Sequence, residues 1–115
     1  MSRWVPSIQV LVDLRTAAEV RADPVMGGRV IGVPVPVPPL DRVQIEKMRS
    51  DLLTFVPHAV RIGLICAKGI RSSLAYDILS QAGYNVVNLG GMNDPRTRAG
   101  LCRLGYWVIG CERFA

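Results

Sequence analysis

The fold is decided by residues 60–83, whose sequence is VRIGLICAKGIRSSLAYDILSQAG. The apolar run before Cys66 is typical of a buried strand. Residues 74–82 place apolar side chains at helical spacing, and Gly83 is a typical C-terminal cap. Cys66 is therefore predicted to lie at the end of a strand and to begin a short loop that leads into a helix.

The loop combines the Cys66 sulfur with two cations, Lys68 and Arg71, and with Gly69, which allows a tight turn. A helix start offers unpaired backbone N–H groups and a partial positive charge, and both favour a thiolate over a thiol. The same groups form a cradle for an anion. These residues indicate a nucleophilic cysteine that performs covalent chemistry on an anionic substrate.

Strands and helices are predicted to alternate along the rest of the chain. Further strands are predicted at residues 7–12 and 85–89, and helices at residues 16–21, from Asp41 to about Val56, and from Asp94 to about Gly105. This alternation predicts an α/β fold, in which a small parallel sheet is flanked by helices on both faces. A chain of 115 residues has room for one such domain, spanning residues 1–115.

The connecting segments give weaker signals. Residues 30–39 alternate valine with proline, which predicts an edge strand or an extended connector because proline cannot donate to a ladder. Residues 23–28 are predicted to form a loop, Gly90-Gly91 a turn, and residues 106–109 a final strand or a packed tail.

Several side chains have specific expectations. In the helix after Asp41, the residues expected to face the core are Val43, Met48, Leu52 and Val56. Arg15 and Glu19 are four apart and are expected to pair along a helix. His58, the only histidine, precedes a strand and is expected to be a surface or structural residue.

Charge and hydropathy exclude some function classes. The net charge of +5 is spread along the chain, without the aromatic-interleaved basic stretch that would indicate a nucleic-acid partner. No apolar run approaches the roughly 18 residues that a membrane span requires. Residues 1–6 lack the charged-then-apolar pattern of a signal peptide, so a cytoplasmic location is expected.

The three cysteines have no spacing typical of a disulfide framework or of paired metal ligands. Cys102 and Cys111 are expected to be ordinary small apolar residues. The alternative is that one of them resolves a persulfide or disulfide on Cys66.

Three segments together resemble the rhodanese family of sulfurtransferases. They are the strand followed by Asp13-x-Arg15 and the later Glu19, the Cys-x-x-Gly-x-Arg-Ser loop of residues 66–72, and residues 82–92. The last segment is similar to the family's Gly-aromatic, strand, Leu-x-Gly-Gly pattern, although here Leu89 directly precedes the Gly90-Gly91 pair. The chain departs from the family pattern in residues 23–34, which lack a histidine, and after Gly91, where a tryptophan is missing.

The resemblance implies a single-domain sulfurtransferase. Cys66 would take sulfur from a small anionic donor such as thiosulfate and pass it to a thiol or cyanide acceptor through a persulfide, with no metal and no organic cofactor. Asp13 and Arg15 would support the loop rather than touch substrate. The expected substrate-binding loop consists of Ala67, Lys68, Gly69, Ile70, Arg71 and Ser72.

Two other functions remain open. The domain could carry a persulfide to a protein partner, or act as a regulatory binding module, with little turnover of small molecules. A phosphatase or arsenate reductase is disfavoured, since those enzymes have five residues between the cysteine and the arginine, and here four residues separate Cys66 from Arg71.

Overall fold

The structure is a computed structural model that describes residues 7–114, so the interpretation of residues 1–6 lies outside the described part. The elements in chain order are β1 (Val10–Asp13), α1 (Ala17–Ala22), β2 (Val25–Met26), β3 (Val30–Gly32), α2 (Arg42–Phe55), β4 (Arg61–Cys66), α3 (Ile70–Gln81), β5 (Asn85–Gly91), α4 (Pro95–Arg103), β6 (Trp107–Val108) and a 3₁₀ helix (Cys111–Phe114).

The predicted parallel sheet is confirmed. Its strand order is β3-β1-β4-β5, and each neighbouring pair is parallel. β1 and β4 occupy the centre, and all four residues of β1 are buried. In a parallel sheet the carboxyl ends of all strands meet at one edge, which is where ligands bind in open α/β folds. Asp13 and Cys66 end the two central strands at that edge.

Helices cover both faces of the sheet, as predicted. On one face, Met48 and Leu52 of α2 and Leu79 of α3 pack against Val10, Val12, Ile62 and Leu64. On the other face, Leu101 of α4 packs with Leu11, Ile65 and Val108. Val43 was expected on the core face of α2, but that prediction is wrong, because its side chain is 76% exposed at the first turn.

The helix starts at Asp41 and Asp94 are confirmed, and both follow from local chemistry. The Asp41 side chain accepts a hydrogen bond from the Gln44 backbone N–H, and the Gln44 side-chain oxygen accepts one from the Asp41 backbone N–H. This reciprocal pair is a capping box. Asp94 accepts from the Arg96 N–H, and Pro95 occupies the first turn of α4.

Two connecting segments differ from expectation. Residues 23–28 contain β2 rather than only a loop, because Val25 and Met26 pair antiparallel with Val108 and Trp107 of β6 in a second small sheet. That pairing confirms the strand alternative for residues 106–109. Gly90 and Gly91 belong to β5 instead of forming a turn, and a bulge absorbs the extra residue opposite Leu64 and Ile65.

The interpretation of Cys102 and Cys111 as unpaired apolar residues is wrong. The two form a disulfide, with Cα atoms 5.7 Å apart, between the last turn of α4 and the 3₁₀ helix. The chain reverses direction through β6, and this reversal brings the sulfurs together. Cys66 is the remaining cysteine and is unpaired, and in this disulfide-bonded state neither Cys102 nor Cys111 carries the free thiol needed to resolve a persulfide on Cys66.

None of the helices within residues 7–114 has the length and apolar character needed to cross a membrane.

Candidate functional site

The Cys66 sulfur lies in a cradle of hydrogen-bond donors. The backbone N–H groups of Gly69 and Ser72 point at Sγ, with nitrogen–sulfur distances of 3.0 and 3.3 Å. Ser72 Oγ lies 3.4 Å from the sulfur and donates to the Gly69 carbonyl at 3.2 Å. Two backbone donors fixed on one sulfur, at the start of a 12-residue helix, favour negative charge on that sulfur.

Gly69 makes the cradle possible. Its φ of +96° lies in the left-handed region, which a side chain would disfavour, and it turns the chain from the end of β4 into α3. The Cys66 side chain is completely buried beneath this turn. Access to the sulfur therefore requires residues of the loop that cover it to move.

Arg71 occupies a different place from the one expected. It was interpreted as a cation that faces the donor, but its two terminal nitrogens bind the Glu19 carboxylate at 2.8 and 2.9 Å. One of them also donates to the Val35 carbonyl at 2.9 Å, and the side chain is only 3% exposed. The guanidinium is thus used to attach the first turn of α3 to α1 and to the segment after β3.

The same ion pair corrects the expected Arg15–Glu19 pairing, because Glu19 binds Arg71 instead. The hydrogen bond from Arg71 lowers the pKa of Glu19 from 4.5 to about 2, and burial opposes this only in part. The Glu19 carboxylate in turn raises the pKa of Arg71. Sequence spacing could not identify Glu19 as the partner of Arg71, because the two residues lie 52 positions apart.

Asp13 and Arg15 form a second buried pair beside the loop. The Arg15 backbone N–H and Nε donate to Asp13 Oδ1 at 3.1 and 3.0 Å, and Nη2 donates to Oδ2 at 2.8 Å. Arg15 Nη1 reaches the Asp23 carbonyl at 2.7 Å. These contacts are internal to the protein, which fits the predicted supporting role.

Lys68 is the cation that the loop presents to solvent. It is exposed, and none of the ion pairs among the described residues involves it. Lys68 lines three surface cavities of about 120, 370 and 650 Å³ that surround the loop. Val37, Pro38 and Ile70 give the smallest of these an apolar wall.

The segment after β5 also contacts the loop, which the sequence did not predict. The Met92 N–H donates to the Cys66 carbonyl at 2.8 Å, and the Asn93 N–H donates to the Ala67 carbonyl at 3.0 Å. A Cβ at Gly91 would lie 2.6 Å from the Ala67 carbonyl oxygen, so only glycine allows this approach. The glycine pair and the loop glycine were visible in the sequence, but their contact was not.

His58 is a surface residue, as expected. It is exposed and packs against the Tyr84 ring, with ring centroids 4.2 Å apart. In the part of the chain that the structure describes, no group of three or more His, Cys, Asp or Glu side chains is arranged to hold a metal ion.

No family model, no curated protein and no solved structure matches this chain. The resemblance to rhodaneses therefore remains an inference from the residues of the three segments.

Proposed function

We propose that this protein is a sulfurtransferase that carries sulfane sulfur as a persulfide on Cys66. The observation that supports the proposal is the pair of backbone N–H groups, from Gly69 and Ser72, directed at Cys66 Sγ. Such a cradle stabilises negative charge on sulfur without a metal. The four residues between Cys66 and Arg71, one fewer than in the phosphatase loop, favour a single bound sulfur over a tetrahedral anion.

The proposed reaction has two displacements at sulfur. The Cys66 thiolate attacks the outer sulfur of thiosulfate, the sulfur–sulfur bond of the donor breaks, and sulfite leaves with the bonding electron pair. The negative charge then lies on the outer sulfur of the Cys66 persulfide. Cyanide or a thiolate attacks that outer sulfur, which yields thiocyanate or a new persulfide and regenerates the Cys66 thiolate.

Lys68 is proposed to orient the donor. Lys68 lines all three cavities around the loop and forms no described ion pair, whereas Arg71 is engaged by Glu19. An exposed cation beside the loop attracts small anions and stabilises the departing sulfite. Arg71 instead keeps the start of α3, and with it the Ser72 N–H, in place.

Intact mass after incubation with thiosulfate tests the proposal. The protein should gain one sulfur atom, and treatment with cyanide should remove it. Cys66→Ser should gain nothing, while the double variant Cys102→Ser/Cys111→Ser, which lacks the other two cysteines, should still gain one sulfur. No gain in any form, with Cys66 still reactive to a thiol probe, would contradict thiosulfate as the donor.

A persulfide carrier is the second candidate, and the complete burial of Cys66 favours it. A sulfur shielded from solvent keeps a persulfide from reacting with chance acceptors, and a protein partner could open the loop. In that case a protein persulfide donor would load Cys66 faster than thiosulfate does. Rapid, repeated turnover with thiosulfate and cyanide alone would contradict the carrier function.

The cytoplasm is the compartment we propose, although the Cys102–Cys111 disulfide favours an oxidising one. Thiol trapping of the protein in intact cells would distinguish the two, because a reducing compartment would leave both cysteines modified.

A further inference from the structure

A single arginine of α4 connects the C-terminal segment to the Cys66 loop. Arg98 Nε donates to the Met92 carbonyl at 2.7 Å, and Nη1 donates to the Ile109 carbonyl at 3.2 Å. The same guanidinium forms an ion pair with Asp23, and 23% of the Arg98 side chain is exposed. The five donors of a guanidinium are spread over a rigid plane and are suited to hold three separated groups at once, whereas the three donors of a lysine all lie on one nitrogen.

Met92 passes this constraint directly to the loop. Its carbonyl accepts from Arg98, and its N–H donates to the Cys66 carbonyl, so one residue joins the arginine to the cysteine backbone. The next N–H, from Asn93, holds the Ala67 carbonyl. The two carbonyls that face β5 are therefore both bound by the segment that Arg98 fixes.

Asp23 extends the same connection to the other side of the loop. Its carboxylate pairs with Arg98, and its carbonyl accepts from Arg15, which in turn binds Asp13 at the end of β1. The strand ends on either side of β4 are thus joined through one aspartate. The disulfide between Cys102 and Cys111 fixes the segment that contains Ile109, the third group bound by Arg98.

We propose that Arg98 is a positioning residue for the Cys66 loop, and that it acts through the Met92 carbonyl. The functional meaning of this inference rests on the proposed function of Cys66, but the change in loop structure that it predicts can be measured without sulfur transfer. Loss of the guanidinium should release the two N–H groups of Met92 and Asn93 from the loop and uncover the buried sulfur.

The test compares Arg98→Met with Arg96→Met as the matched control. Arg96 lies in the same helix, its side chain is 91% exposed, and Asp94 is its only ion-pair partner within residues 7–114. In Arg98→Met, hydrogen exchange at the Met92 and Asn93 amides should become about tenfold faster, as expected for losing a charge-assisted hydrogen bond at a partly buried site. Alkylation of Cys66 by iodoacetamide should also accelerate, and Arg96→Met should match the unmodified protein in both readouts.

Unchanged exchange at Met92 and Asn93 in a folded Arg98→Met would overturn the inference. Equal acceleration at the central strand amides, such as that of Leu64, would also overturn it, because that pattern means a general loss of stability. If Arg98→Met does not fold, Arg98→Lys is measured instead: it keeps the charge beside Asp23 but loses the fork, and the same amides decide. If these local effects occur while no form of the protein takes up sulfur, the proposed function fails and the positioning role remains.

Discussion

Replacing Glu19 by glutamine should destabilise the protein in a pH-dependent way. The substitution is narrow in its effect, because Glu19 also accepts the Thr16 N–H at 2.8 Å in the capping box of α1, and a glutamine in that position can still do so. What disappears is the negative charge that faces Arg71. The Arg71 guanidinium then stays buried without a countercharge. Nη1 keeps the glutamine oxygen and the Val35 carbonyl as acceptors, but Nη2 faces the glutamine amide NH2, which cannot accept.

The magnitude follows from the depressed pKa. A carboxyl whose pKa falls from 4.5 to about 2 on folding contributes at most about 3.4 kcal/mol of stability at neutral pH. Because 24% of the Glu19 side chain is exposed, solvent screening should reduce this to about 1–2 kcal/mol. The folded state favours the ionised form, so the contribution is complete above the unfolded pKa of 4.5 and is lost as the pH falls towards 2.

Urea unfolding of Glu19→Gln and of the unmodified protein, measured across pH 2.5 to 7, gives the difference directly. We expect the unmodified protein to be more stable by about 1–2 kcal/mol at pH 7, with the difference shrinking below pH 4.5. Glu46→Gln is the control, since Glu46 is 64% exposed in its pair with Arg49 and should change stability by less than about 0.5 kcal/mol. A difference that is negligible at pH 7, or the same at every pH, would refute the reasoning.

Three further outcomes are expected. Lys68→Met should raise the thiosulfate concentration needed to load Cys66 by about tenfold without changing the melting temperature, and unchanged loading would exclude Lys68 from donor binding. Gly91→Ala should lower the free energy of unfolding by about 2–3 kcal/mol, because its Cβ would meet backbone atoms at 2.6 Å. Gly100→Ala in α4 is the control: its Cβ would meet no atom within 4 Å, so the free energy of unfolding should rise by up to about 1 kcal/mol. Cys102→Ser/Cys111→Ser should lower it by about 2–3 kcal/mol in urea unfolding, and an unchanged midpoint would mean that the disulfide does not constrain the unfolded chain.

The sheet and its helices were predictable because their signals are local. The apolar run before Cys66, the caps at Asp41 and Asp94, and the left-handed glycine after α3 each specify an element within a few residues. Because those strands and helices alternate along the chain, they predict a parallel sheet covered by helices. The strand ends that carry Asp13 and Cys66 follow from the same reasoning.

The contacts that define the site were not predictable, because they join distant positions. Arg71 was predicted to bind substrate because it lies in the loop beside Cys66, but its side chain binds Glu19, which is 52 positions away in the sequence. The short strands β2 and β6 have two residues each, too few for a period to be recognised. The disulfide depends on the chain reversal that those strands create, so it was missed together with them.

The valine–proline segment after β3 has a consequence for association between molecules. The N–H groups of Val33 and Val35 point inward and bind the Asp13 and Leu14 carbonyls at 3.0 Å, while Pro34 and Pro36 stand at the outward positions. Proline has no N–H, so this side of the molecule offers few donors to a strand from another chain. The opposite border of the sheet, β5, has no such prolines, and any edge-to-edge aggregation in concentrated solution should therefore begin there.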